Sequence, residues 1–207
     1  MSDPASLRRA LVLDPARTAT AAAITTRLHS AGYQVTSSAV FEDPTDSVDA
    51  FVYEPGLLDG VSTNNASEQL LTMVSRLVPF LRTQEEGGSR IVVIASRDGL
   101  GWPSRPELAA QSGALVSAAR SLALQLGRTG TTVNVVSALP PEGSPLRRSG
   151  RPEQTHLYEP QELTPQPVAV EDIADTAAFF LDSRSGYITG QVLHCCGGAS
   201  LLSSLSV

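Results

Sequence analysis

The chain has 207 residues, enough for one globular domain with a full core, and its 42% hydrophobic, 5% aromatic and 17% charged residues are those of a folded protein. A net charge of −6 and a pI near 5.0, with no basic stripe, argue against nucleic-acid and anionic-membrane partners. All 15 basic residues are arginine, which excludes Schiff-base chemistry, a P-loop lysine and lysine acid/base catalysis.

No apolar run is long enough to span a bilayer, and MSDPASLRRALVLD lacks a secretory pattern. The two cysteines, Cys195 and Cys196, are adjacent and offer neither a disulfide framework nor metal-ligand spacing. A reducing cytoplasm is the expected setting.

Taken in order, Ala10–Leu13 reads as a first strand. Asp14 stands at an N-cap position with Pro15 at the first helical position, and the helix is expected to run to about Ala31 and stop at Gly32. Tyr33–Thr36 and Asp49–Tyr53 read as strands around a polar turn at Glu42–Ser47. Asn65 with Glu68 resembles a capping box. It opens a helix whose apolar residues Leu70, Met73, Val74, Leu77, Phe80 and Leu81 share one face, ending at Gly87-Gly88. Arg90–Ala95 is a continuous apolar strand of the kind buried on both faces of a parallel sheet. Ser104 to Glu107 has the spacing of a second capping box, before the long helix ELAAQSGALVSAARSLALQLG. Thr131–Val136 is a strand, residues 139–167 a Pro-rich lid loop, Glu171–Leu181 a helix and Gln191–Cys195 a last strand. This alternation predicts an α/β fold with a mostly parallel, doubly wound sheet in one domain, residues 1–207.

Three segments, GGSRIVVIASRDGLG, SAARSLALQLGRTGTTVNVVSALP and VEDIADTAAFFLDSRSGYITGQVLHCCGG, resemble the short-chain dehydrogenase/reductases, especially the 3-oxoacyl-carrier-protein reductase type. The resemblance covers about Ser89–Gly198, and less clearly Ala10–Pro55. It implies a Rossmann-like sheet with helices on both faces, NAD(P)(H) as cofactor and a tetramer with two kinds of two-fold interface.

The family's working residues do not follow. Its Thr-Gly-x-x-x-Gly-x-Gly turn places its glycines at Asp14, Thr18 and Thr20 here. Glycine lets the backbone approach a pyrophosphate at the helix N-terminus, whereas threonine obstructs and Asp14 repels it. The Asn-Asn-Ala-Gly stretch falls on Tyr53-Glu54-Pro55-Gly56. Only about a dozen residues separate the second and third strands, so one edge strand of the family is expected to be missing. The catalytic tyrosine and lysine fall on Leu108 and Ser112, and the asparagine near Ala66. Tyr33, Tyr53, Tyr158 and Tyr187 all lack a basic residue four positions later, so no shifted dyad exists. Only the serine remains, at Ser96, and a serine hydroxyl needs an adjacent base.

The candidate catalytic residues are therefore Ser96 with His156 and Tyr158 of the lid; the ordinary reading is a strand-end turn serine and two solvated loop residues. His194, Cys195 and Cys196 read as packing of the last strand, with His194 and Cys196 on one face, and no metal is expected. Ala110, Ala114, Ser117 and Ser121 form a smooth stripe on the long helix, widened by Gly113, and ASLLSSLSV is a leucine-bearing tail. Helix and tail together read as interface surface.

The leading expectation is a non-catalytic, cofactor-free subunit that assembles with an active dehydrogenase/reductase relative; a homodimer or homotetramer is the other assembly. The alternative is a cofactor-independent lyase, isomerase or cyclase using the pocket under the lid. A third reading is a self-sufficient NAD(P)-dependent oxidoreductase.

Overall fold

A computed structural model describes residues 8–61, 65–147, 158–159 and 161–202. His156 and the tail beyond residue 202 lie outside the described residues. The elements are β1 (Arg8–Leu13), α1 (Ala19–Ser30), β2 (Tyr33–Ser38), β3 (Ala50–Tyr53), α2 (Ala66–Leu77), β4 (Arg90–Ser96), α3 (Pro106–Leu126), β5 (Thr132–Ala138), α4 (Val170–Leu181) and β6 (Val192–Cys195). The six strands form one sheet in the order β2-β1-β3-β4-β5-β6, and every pairing is parallel.

Side chains on a strand alternate between faces, so each central strand feeds two cores. Val92 and Ile94 of β4 pack with Ile24 and Leu28 of α1 and Ile173 and Phe180 of α4. Ile91 and Val93 pack on the other face with Leu70 and Val74 of α2 and Leu115 and Leu122 of α3. All seven residues of β4 and all seven of β5 are buried, as the continuous apolar run RIVVIA implies. Residues 39–49 contain no helix or strand, only an isolated bridge from Val48 to Leu81, which leaves β2 at the sheet edge. The expected Rossmann-like architecture, short by one edge strand, is the observed one.

Several local expectations are corrected. Helix α1 begins at Ala19, not Pro15, with Thr18 as N-cap. The Asp14 carboxylate accepts from Thr18 N at 2.7 Å, and Arg17 takes a positive φ of 56°. This closes a separate turn that a helix cannot enter. Asn65 and Arg105 occupy the N-cap positions of α2 and α3 without side-chain caps, so neither capping box forms. Helix α2 stops at Leu77, because Pro79 lacks the N–H needed to continue it; 3₁₀ turns at Val78–Phe80 and Gln84–Glu86 follow. Cys195 and Cys196 both pack toward the α1/α4 core rather than alternating, because β6 ends at Cys195.

Leu115 is fully buried and Leu124, on the same helix, is 87% exposed. Leu115→Ala is expected to lower unfolding stability by about 2–5 kcal/mol. Leu124→Ala should change the isolated chain by no more than about 0.5 kcal/mol. Urea melts of the two variants check both.

Candidate functional site at the carboxyl edge of the sheet

In an open parallel sheet, ligands bind where the strand order reverses, outside the carboxyl ends of the strands. Here β1 is flanked by β2 and β3, so the crevice lies between the ends of β1 and β3. The chain fills it. Glu54 follows β3 and is 0% exposed. Its Oε2 accepts from the Thr18 hydroxyl at 2.8 Å and its Oε1 from Gly56 N at 3.2 Å. Asp14, also buried, has one carboxylate oxygen on Thr18 N, while the other has no partner. Gly56 has φ 88°, and a Cβ there would lie 2.6 Å from the Ala16 side chain, so the turn after β3 is pressed onto the β1–α1 turn.

This arrangement does not fit the pyrophosphate of a dinucleotide. The cradle would need backbone donors and room, and it holds two carboxyl groups and a threonine hydroxyl instead. Burial pushes the Glu54 carboxyl up to about 8, with the Asp14 charge adding to the rise against the hydrogen bond from Thr18. Burial also raises Asp14, against the N–H groups of its own turn.

The positions matching the family's catalytic dyad are equally closed. Leu108 and Ser112 are buried on α3. The Ser112 hydroxyl accepts from Ser96 N at 3.0 Å. A Cβ on Gly99 would lie 3.1 Å from the Ser112 Cβ, so the 3₁₀ turn Arg97–Leu100 packs where a long side chain at 112 would extend. Ser96, 1% exposed, uses its Oγ to accept from Asp98 N at 3.1 Å and cap that turn. Tyr158 is 68% exposed, and among the described residues no hydrogen bond joins it to Ser96. His194 is half-buried, and desolvation with the nearby Arg97 charge lowers its pKa, favouring the neutral ring.

An ionic network that pattern reading missed stands beside Ser96. Arg105 donates through Nε to Asp98 Oδ2 at 2.6 Å and through a terminal nitrogen to Glu159 Oε2 at 3.0 Å. Arg147 holds both carboxylate oxygens of Glu162, at 2.7 and 2.9 Å. Arg105, Leu146, Arg147, Glu159, Glu162 and Pro167 line a cleft of about 510 Å³. Arg105 and Glu159 are far apart in sequence, and no local pattern marks their pairing. Among the described residues, no helix is long and apolar enough to cross a membrane.

The buried acids give stability a pH signature. Glu54 binds its proton more tightly folded than unfolded, so its contribution is complete below pH 4.5 and is lost as pH rises through about 8. Stability should fall across that window by several kcal/mol, on the order of 3–5. Glu54→Gln should flatten the profile. Urea midpoints from pH 5 to 9 provide the measurement; an equally steep profile in the variant would place the titration elsewhere.

Residues 60–200 match the family model described as Enoyl-(Acyl carrier protein) reductase. Two curated relatives come from Thauera aromatica. The BbsD subunit of (2S)-[(R)-hydroxy(phenyl)methyl]succinyl-CoA dehydrogenase is 37% identical over 59% of this chain and 52% of its own length. The BbsC subunit of the same dehydrogenase is 32% identical over 63% of this chain and 50% of its own. The chain thus spans about half the length of these relatives. A short-chain dehydrogenase/reductase structure from Serratia marcescens superposes with a TM-score of 0.67 at 22% identity, covering 93% of this chain and 97% of the other. The family model covers well over half of the chain and the solved structure shares its fold, and the chain belongs to the short-chain dehydrogenase/reductase family.

Proposed function

We propose that this chain is a non-catalytic member of its family that assembles with an active relative and supports that partner's stability or substrate site. The observation that carries this reading is the contrast between a plugged crevice and an open helix face. Ala110, Ala114, Ser117, Ser121 and Leu124 lie along one side of α3, and all five are exposed. Leu71 and Val78 are exposed at α2 and the turn that follows it. Small residues let two helices approach closely, and an exposed leucine among them gains by being covered.

The similarity to both BbsD and BbsC supports the same reading, since each is named as a subunit of one dehydrogenase. Two free cysteines suit a reducing, cytoplasmic setting. The cofactor-independent alternative would draw on the cleft beneath the lid, with Ser96, His156 and Tyr158; the turn-capping role of Ser96 lends it no support.

Native mass and composition of the gently purified protein test the proposal. A stoichiometric complex with a relative bearing an intact Gly-rich turn and Tyr-x-x-x-Lys is expected. A homo-oligomer that ignores such a relative would overturn it. Ala114→Arg should abolish the complex while leaving the isolated chain folded, because the site is exposed and helical. The isolated chain should show no saturable NADPH binding at micromolar concentrations, measured by fluorescence titration.

A further inference from the structure

The plugged crevice is tied mechanically to the cleft lined by Arg105, Leu146 and Glu159. Glu54 holds Gly56 N, and Gly56 begins the turn that runs through Leu57 and Leu58, both fully buried, to Gly60. The Ser144 hydroxyl donates to Leu58 O at 2.6 Å and also accepts from Leu146 N at 3.2 Å. Leu146 packs against Gly60, where a Cβ would lie 2.9 Å from it, and its carbonyl meets Arg105 at 3.5 Å. The Gly56–Gly60 turn therefore touches Glu54 at one end and the first part of the lid at the other.

Among the described residues no cation compensates Glu54. The titratable groups facing it are Asp14 from the end of β1, Tyr53 from β3 and Asp59 from the turn itself. At the N-cap of α1 it meets the Thr18 hydroxyl, and Arg17 is exposed. Among the described residues no salt bridge includes Glu54, Asp14 or Asp59. One oxygen of Asp14 and one of Asp59 are buried without a hydrogen-bond donor among the described residues. Two ionised carboxylates cannot share such a site without water or movement.

We propose that Asp14 and Glu54 form a proton-operated latch. With a proton on the pair, the Gly56–Gly60 turn is held on the β1–α1 turn and seats the Ser144–Arg147 segment at the cleft. When the proton leaves, the charged pair draws water, the turn lifts and that segment loses its anchor. The latch belongs to this chain alone and does not depend on a partner subunit.

Two measurements on the full-length chain test it. Carboxyl-labelled glutamate, assigned by its loss in Glu54→Gln, reports the Glu54 titration by NMR. Hydrogen exchange, corrected for the intrinsic effect of pH, reports the amides of Leu146 and Arg147, which bond Ser144 Oγ and Ser144 O. From pH 6 to pH 9 their protection is expected to fall at least about tenfold in the wild type and to stay level in Glu54→Gln, while α3 amides near Leu115 hold in both. Should Glu54→Gln fail to fold, Asp14→Asn removes the like charge and should move the Glu54 midpoint and the loss of protection together to lower pH. A Glu54 titration in the ordinary glutamate range, or a protection loss of equal size in Glu54→Gln, overturns the latch.

Discussion

The structure turns on one constraint: the gap at the switch point of a parallel sheet has to be filled. In a dinucleotide-binding fold the filler is a pyrophosphate, and glycines leave room for it. Here it is the Glu54 carboxyl, bonded to the Thr18 hydroxyl and to Gly56 N. A buried charge would be costly, whereas a protonated, hydrogen-bonded carboxyl costs little. The raised proton affinity of Glu54 is the form that compromise takes. Asp14 complements it by tying off Thr18 N, which delays α1 to Ala19 and closes the end of the crevice.

The same principle governs the other half of the carboxyl edge. Where the family places a lysine, the small Ser112 lets the Arg97–Leu100 turn settle onto α3, and Ser96 caps the turn from below. The space above is bridged by Arg105, whose two acidic partners come from that turn and from the lid. Both pairs are well buried, so their desolvation offsets much of their attraction, and removing one partner would strand the others. Their role is to fix geometry: they hold Glu159 down onto the sheet edge.

How far these features were legible in the sequence follows from the range of the forces involved. Strands β4 and β5 were readable because burial on both faces demands apolar residues at nearly every position. The absent edge strand was readable from the length of residues 39–49 alone. The closed phosphate turn was readable because missing glycines have a direct steric meaning. At two helix starts a side chain has a rival partner: Asp14 bonds Thr18 N before the helix, and the Ser104 hydroxyl faces Glu159 rather than its own helix. Glu54 falls in the stretch matching the family's Asn-Asn-Ala-Gly, but its pairing with Asp14 and Thr18 joins residues about forty positions apart. Arg105 with Glu159 spans a still longer gap, and contacts of that length leave no periodic trace.

What was lost and what was kept differ in kind. Both the dinucleotide crevice and the catalytic dyad require particular atoms at particular distances, and both have been replaced by side chains that close the space. The α3 face requires only smoothness, and Ala110, Ala114, Ser117 and Ser121 preserve it while remaining uncovered in the single chain. The exposed charges Glu107 and Arg120 flank this stripe, the five positions of the stripe itself are uncharged, and Leu124 stands at its end almost fully exposed. This small, uncharged and uncovered stripe is the surface that the proposed partner subunit would cover.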